Sequence, residues 1–396
     1  MKKVVLAYSG GLDTSVAIPW LMEQGYEVIA LAVDVGQPGD LGAVVERARA
    51  LGAVEARLVD AKERFVADFV LPALAMNALY QGRYPLVSAL SRPLIAQVLV
   101  EVADEVGAGA VAHGCTGKGN DQVRFEVSLG ALAPDLEVLA PVRDHGMTRD
   151  EAIAYAQERA LPIPVTRSSP YSIDENLWGR TIECGVLEDP WEEPPEEVFE
   201  LTAAPGRAPA PREVVLGFEA GVPVALDGRI LGPRATIAEL AALVGAYGFG
   251  RVDMIEDRLV GIKSREVYEV PAALALIAAH QDLEALVLER SYARQKRRLE
   301  QLWADLVYEG LWFSPLREAL DAFARTCSAQ VTGEVRLRLA PGTCLPVARR
   351  SPHSLYEHAL ATYDAGDAFE HRDAAGFVRL WGLPLRQHAR RARRDG

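Results

Sequence analysis

The residues best suited to chemistry fall in two glycine-rich stretches. The first is Ser9-Gly10-Gly11-Leu12-Asp13-Thr14-Ser15, set between a short apolar run and a helix-like pattern. Where a strand gives way to a helix in this manner, unsatisfied backbone N–H groups point outward and favour an anion. Glycines let the backbone approach that anion closely, and the nearby hydroxyls can add hydrogen bonds. No lysine follows the second glycine, so this is not the Gly-x-x-x-x-Gly-Lys-Ser/Thr loop. A lysine-free cradle suits a pyrophosphate that leaves while the α-phosphate is attacked. The competing reading is a tight turn with Asp13 or Thr14 as helix cap, which leaves the density of hydroxyls unexplained.

The second stretch reads HGCTGKGNDQVRFE from His113 to Glu126. Gly114, Gly117 and Gly119 make a pliant loop, and Thr116, Asn120, Asp121 and Arg124 present donors and acceptors. Asn120 and Arg124 lie one helical turn apart and share a face. Paired with the first loop across a crevice, this set suits a nucleotide on one side and a polar, zwitterion-like substrate on the other. Read alone, it also fits a helix cap with a solvated turn, the weaker of the two readings. His113, at a strand end, reads as structural, because no Gly-x-Ser-x-Gly pattern accompanies it.

Both loops need a scaffold, and the first 165 residues supply its pattern. Short apolar runs at Lys3–Ala7, Glu27–Val33, Glu55–Asp60, Ala108–His113 and Glu137–Val142 alternate with amphipathic stretches, the signature of a parallel sheet covered by helices. The clearest helix is Arg92–Val106, with Pro93 in its first turn and Gly107 at its stop. The expected fold class is α/β, a doubly wound sheet whose ligands lie beyond the carboxyl ends of the strands. Residues Asp189 to Glu213, rich in Pro and acidic side chains, read as a linker or extended surface segment. Beyond it, a hairpin at Val214–Asp227, a helix at Thr236–Tyr247, a long helical stretch at Ala272–Val307, and Val331–Leu339 pairing with Cys344–Ala348 point to an α+β second domain. An arm with helical pieces follows from Ser351.

Composition narrows the class. With 396 residues the chain exceeds one core, so two domains are expected. A net charge of −13 argues against a general nucleic-acid surface. The basic run Arg386–Arg394 reads as a solvated or subunit-contacting tail. Four scattered cysteines form no C-x-x-C pair, which signals neither a disulfide framework nor a zinc site and fits a reducing compartment. No run of about 18 apolar residues offers a membrane span, and the Met-Lys-Lys start leads into a strand instead of a signal peptide. A cytoplasmic location with no membrane partner is the expectation.

AYSGGLDTS, VDVGQ, SRPLIA, AHGCTGKGNDQVRFE, PYSIDENL, VLEDPW and VDMIEDRLVGIKSREVYEVPAA together resemble the argininosuccinate synthase family, in order and over nearly the whole chain. The first stretch alone resembles only the wider group of N-type ATP pyrophosphatases. The resemblance implies a ligase that adenylates the ureido oxygen of citrulline with MgATP and lets aspartate displace AMP. The sequence shows no dedicated metal cluster, as expected for Mg²⁺ bound mostly through substrate phosphates and water, and the acidic charge speaks against a nucleic-acid partner. The resemblance also implies that Ala7, Tyr8, Ser9, Gly10, Gly11, Leu12, Asp13, Thr14 and Ser15 hold ATP, with Val33 and Gly114 near the adenosine. Thr116, Asn120 and Asp121 would take aspartate. Tyr84, Asn120, Arg124, Ser172, Thr181, Glu256 and Tyr268 would surround citrulline. Asp13, Asn120, Asp121 and Arg124 are the candidate catalytic residues, the two carboxylates as outer helpers of the metal–phosphate unit. The implied division is a nucleotide-binding domain at 1–165, a synthetase domain at 166–355 and an oligomerisation arm at 356–396, in a homotetramer.

The chain departs from the family pattern at four places. Ser88-Ala89 stands where the family has Thr-Ser, so a hydroxyl expected at citrulline is missing, and compensation by Ser88 or a water is the hypothesis. Thr181 replaces Ser and keeps its hydroxyl, Ala272-Ala273 replaces a glycine pair, and Cys115 stands where Ala is usual. Two alternatives follow: a related pyrophosphatase that transfers sulfur to tRNA, with Cys115 as its foothold, and a nucleotide-binding regulatory protein that has lost catalysis.

Overall fold

The computed structural model describes residues 2–146, 149–162 and 170–394. Its strands are β1 (Lys2–Ala7), β2 (Tyr26–Asp34), β3 (Glu55–Asp60), β4 (Ala110–Ala112), β5 (Glu137–Leu139), β6 (Ser172–Asn176), β7 (Gly179–Glu183), β8 (Arg212–Glu219), β9 (Val222–Leu226), β10 (Arg229–Ile230), β11 (Arg251–Asp257), β12 (Lys263–Glu269), β13 (Gly333–Ala340) and β14 (Thr343–Arg350). The helices that bear on function are α1 (Leu12–Glu23), α2 (Val87–Val106), α3 (Asp121–Leu132), α4 (Pro271–Val287) and α5 (Arg290–Tyr308).

β1 to β5 form a parallel sheet in the order β3-β2-β1-β4-β5. Alternation along β1 and β2 feeds two cores. Val5, Ile29, Leu31 and Val33 pack on one face, and Val4, Leu6, Val28, Ala30 and Ala32 on the other. Burial on both faces is why these strands read as unbroken apolar runs. The strand order reverses between β1 and β4, so the loops leaving their carboxyl ends face one crevice, as expected for a doubly wound sheet.

Four sequence expectations are corrected. The helix α2 begins at Val87, five residues before Arg92, and Pro93 lies inside it. Burial of Val87, Ala89 and Leu90 offsets the hydrogen bond that Pro93 cannot donate. The stretch from Ala272 to Val307 is two helices, broken where Leu288 turns extended and the Glu289 carboxylate caps α5 by accepting from the N–H groups of Ser291 and Tyr292. The fifth strand stops at Leu139, and Pro141 opens a short helix instead. Finally, the acidic proline-rich segment is not loose. Fully buried Glu269 accepts hydrogen bonds from the N–H groups of Glu200, Leu201 and Thr202, from the Thr202 hydroxyl, and from Arg180. The expected boundary at 165/166 lies outside the described residues.

Two antiparallel sheets complete this part of the chain, one of order β10-β9-β8-β13-β14 and one of order β11-β12-β7-β6. In the second, Asp174 pairs with Thr181, Thr181 with Tyr268, and Glu256 with Ser264. Since side chains alternate along a strand, Ser172, Asp174, Thr181, Glu183, Glu266, Tyr268 and Glu256 all fall on one face. The chain divides into two compact units, Met1–His353 and Ser354–Gly396. The second carries helices His358–Ala361, His371–Trp381 and Leu383–Ala392, none with a buried residue. Phe377 stacks on Trp381 there, and both stay exposed. Among the described residues no helix is long and apolar enough to cross a membrane.

Candidate active site

The first loop lies at the end of β1, where Gly10 turns with φ +78° and Gly11 precedes α1. No side chain caps that helix end, so its N–H groups are left for another partner. The Ser9 hydroxyl lies 3.1 Å from that of Thr14 and accepts from the Gly11 N–H at 3.3 Å. Arg47 donates to the Gly10 carbonyl at 2.8 Å and holds the turn from behind. Gly114, at the end of β4, closes the crevice, because a Cβ there would sit 2.7 Å from the Thr14 methyl. Only glycine permits that approach.

A cavity of about 520 Å³ opens between the two loops. Ala7, Tyr8, Ser9, Thr14, Val33, Gly114 and Asp121 of the expected set line it. Ser15 is buried and meets the Tyr8 hydroxyl at 3.1 Å. Leu12 packs on Val16 and Ala152, and Asp13 lines a small separate cleft with Trp20 and His145. Cys115 also lines the cavity. Burial pushes its thiol well above the ordinary range, and Asp121 pushes the same way, which disfavours the thiolate that a nucleophile needs. His113 accepts from the Cys115 N–H on Nδ1, which leaves its other ring nitrogen facing Glu126 at 3.2 Å. Burial lowers its pKa, and it bridges two neighbours as a neutral structural histidine.

Beside this cavity lies a buried polar cluster. Asp121 is gripped by Arg92 at 2.8 Å and Arg124 at 2.9 Å, and Arg92 also reaches Asp174 at 2.8 Å. Burial works to raise the Asp121 carboxyl, and the two guanidinium groups overcome it, leaving it below the usual carboxylate range. Glu256 accepts from the hydroxyls of Tyr268 and Tyr308, the latter at 2.8 Å. Burial raises its pKa, while both tyrosines, Arg124 and Arg258 oppose that. Tyr84 stacks on Tyr268 with ring centroids 4.3 Å apart and accepts from the Ser88 N–H. The Ser88 hydroxyl points at Thr181, 3.4 Å away, beside the Ala89 position that lacks one.

Of the expected residues, Tyr84, Asn120, Asp121, Arg124, Thr181, Glu256 and Tyr268 therefore belong to one connected cluster. Ser172 sits on the same sheet face at its exposed edge, and Thr116 is exposed on its loop. Sequence reasoning missed Tyr308, Arg92 and Asp174. Arg92 and Asp174 lie inside quoted motifs, so position next to Pro93 and alternation with Ser172 could have flagged them. Tyr308 carried no signal, since Leu-Val-Tyr-Glu reads as an ordinary helix end.

Family models match both halves of this arrangement: "Arginosuccinate synthase N-terminal HUP domain" over residues 3–162 and "Arginosuccinate synthase C-terminal domain" over residues 171–388. The chain belongs to the argininosuccinate synthase family. It is 57% identical to the argininosuccinate synthase of Synechococcus sp. (strain JA-3-3Ab) over 398 residues, covering 100% of this chain and 99% of the relative. The enzyme of Gloeobacter violaceus is 58% identical over 391 residues, with 98% of each chain covered. That of Halalkalibacterium halodurans is 56% identical over 389 residues, covering 98% of this chain and 95% of the relative. Membership in the argininosuccinate synthase family makes the chain a ligase with a nucleotide-binding HUP domain. It supports neither a sulfur-transfer enzyme nor a regulatory protein. Among the described residues, no group of three or more His, Cys, Asp or Glu is arranged to hold a metal ion.

Proposed function

We propose that the site joins L-citrulline and L-aspartate at the expense of ATP. The ureido oxygen of citrulline attacks the α-phosphate, pyrophosphate leaves, and the aspartate amine then displaces AMP from the ureido carbon to give argininosuccinate, losing a proton. The observation that carries this reading is that Asp121 faces the nucleotide cavity while its Arg92 and Arg124 partners tie it to the amino-acid cluster. One crevice thus offers an anion cradle and an acceptor–donor set for zwitterions.

Little proton chemistry is asked of the side chains. The ureido oxygen is a weak nucleophile, so rate comes from aligning it with the α-phosphate and from stabilising the departing charge. Glu256, fixed by the two tyrosine hydroxyls it accepts from, suits an ammonium group, and Arg124 suits a carboxylate. The hydroxyls and N–H groups around Ser9, Gly11 and Thr14 fit phosphate oxygens. Mg²⁺ carried by those phosphates would neutralise the charge that develops on pyrophosphate. We further propose a cytoplasmic homotetramer built through an arm at 356–396, supported by the exposed Phe377, Trp381 and Leu385.

The test is ATP–pyrophosphate exchange with and without citrulline, followed by AMP release on adding aspartate. Exchange that depends on citrulline and AMP that depends on aspartate are expected. Exchange indifferent to citrulline would sink the mechanism.

A further inference from the structure

We infer that Tyr308 is a positioning residue of this site, its hydroxyl clamped between Asn120 and Glu256 so that both groups are aimed at the bound citrulline. This rests on the proposed citrulline–aspartate ligation. Tyr308 ends α5 and is fully buried. Its hydroxyl donates to Glu256 Oε2 at 2.8 Å and accepts from Asn120 Nδ2 at 2.8 Å, with the Asp257 carbonyl, at 3.2 Å, as the competing acceptor. Its ring stacks on Tyr80 at 3.5 Å and meets Tyr84 edge-on at 6.3 Å. The Arg124 guanidinium lies over the ring at 4.9 Å and donates through Nε to the Tyr308 carbonyl at 3.1 Å. The turn that follows is tight: Gly310 has φ +80°, and a Cβ there would lie 2.9 Å from the Arg124 Cα. Tyr84, Asn120, Arg124 and Glu256 are all in contact with this one side chain.

A count of hydrogen-bonding valences says what the clamp leaves open. Asn120 accepts from the Leu259 N–H on Oδ1 and gives one amide hydrogen to Tyr308, so its orientation is set. One donor and one acceptor remain for ligands. Each Glu256 oxygen takes one tyrosine hydroxyl, which leaves lone pairs for an ammonium group. Without the Tyr308 hydroxyl, one Asn120 hydrogen is orphaned and the amide can turn toward Glu256. That carboxylate is faced by Tyr268 and Glu266 from β12, Tyr308 from α5, Arg124 from α3, Arg258 beyond β11, and Tyr80 and Tyr84 from the loop before α2. Removing one donor to its charged form raises its pKa further.

The experiment compares the wild type with Tyr308→Phe in citrulline-dependent ATP–pyrophosphate exchange across pH. We expect the KM for citrulline to rise about tenfold or more, the KM for ATP to stay unchanged, and the acid limb of kcat/KM for citrulline to move to higher pH. A residue that merely filled space would leave that limb in place. Unchanged citrulline KM and pH profile, or citrulline and ATP constants rising together, would overturn the role. If Tyr308→Phe does not fold, 3,5-difluorotyrosine at position 308, a stronger donor, should move the acid limb to lower pH, and an unmoved limb would count against the clamp. A wild type without citrulline-dependent exchange would overturn the functional reading and this inference with it, whereas an active wild type and an indifferent variant would overturn this inference alone.

Discussion

Ser9 and Thr14 touch across five residues of chain, whereas Glu256 and Tyr308 lie 52 residues apart, and Asn120 and Tyr308 lie 188 apart. The proposed phosphate cradle is a local device. Its donors are backbone groups of one turn, partly exposed, and a glycine supplies the one conformation that the turn needs. The amino-acid cluster is a tertiary device, with side chains from two helices, three strands of one sheet and two loops, most of them satisfied by a partner far away in sequence. A local site tolerates small insults because its backbone can readjust. A buried network does not, since every lost partner strands another polar group.

That contrast can be broken or sharpened by measurement. The largest effect is expected from Glu256→Gln, which removes the charge that Tyr268 and Tyr308 point at. A loss of about 3 kcal/mol, hundredfold or more in kcat/KM for citrulline, should come with little change in the KM for ATP; equal losses for both substrates would erase the distinction. Glu269→Ala tests a fully buried carboxylate on the opposite face of β12 from Tyr268. It strands the three N–H groups it held at Glu200, Leu201 and Thr202, and about 3 kcal/mol of stability should disappear from the denaturant midpoint.

Gly114→Ala acts on the local side. Its Cβ displaces Thr14, and about 1–2 kcal/mol of overpacking should raise the KM for ATP roughly tenfold while sparing citrulline. Glu183 offers a pH test. Burial next to Glu266 raises its pKa to about 7 despite Arg258 at 2.5 Å. The native state therefore holds a proton that the unfolded chain has lost, so this group's contribution to stability falls as pH rises from about 4.5 to 7. Glu183→Gln should flatten that decline in melting temperature, and a steeper decline would refute the assignment. The smallest effect is expected from Ala89→Ser. If Ser88, 3.4 Å from Thr181, already supplies the hydroxyl, the citrulline KM stays where it is; a clear drop would show that it does not.

Much of the fold was legible. Strands β1 to β3 match their expected spans to within a residue or so, and for β1 and β2 the reason is that burial on both faces writes itself into the sequence as apolar runs. Expectation failed where local preference met tertiary packing. Pro93 reads as a helix start, yet α2 begins at Val87 because its first turn is buried. The Pro- and Glu-rich segment reads as a linker or an extended surface segment; it is the latter, and Glu269 pins it from β12, a contact that no local pattern encodes.

Sequence alone determined the family and the glycine turn that feeds the first helix, because motif order carries family likeness and because such a turn acts within a few residues. Only the tertiary structure decided which side chains face each other. The register of β6, β7, β11 and β12 turned Thr181, Tyr268 and Glu256 to one face, and the packing of α5 brought Tyr308 between Asn120 and Glu256. Those pairings depend on contacts closed over long loops, and so they exist only once the core has formed.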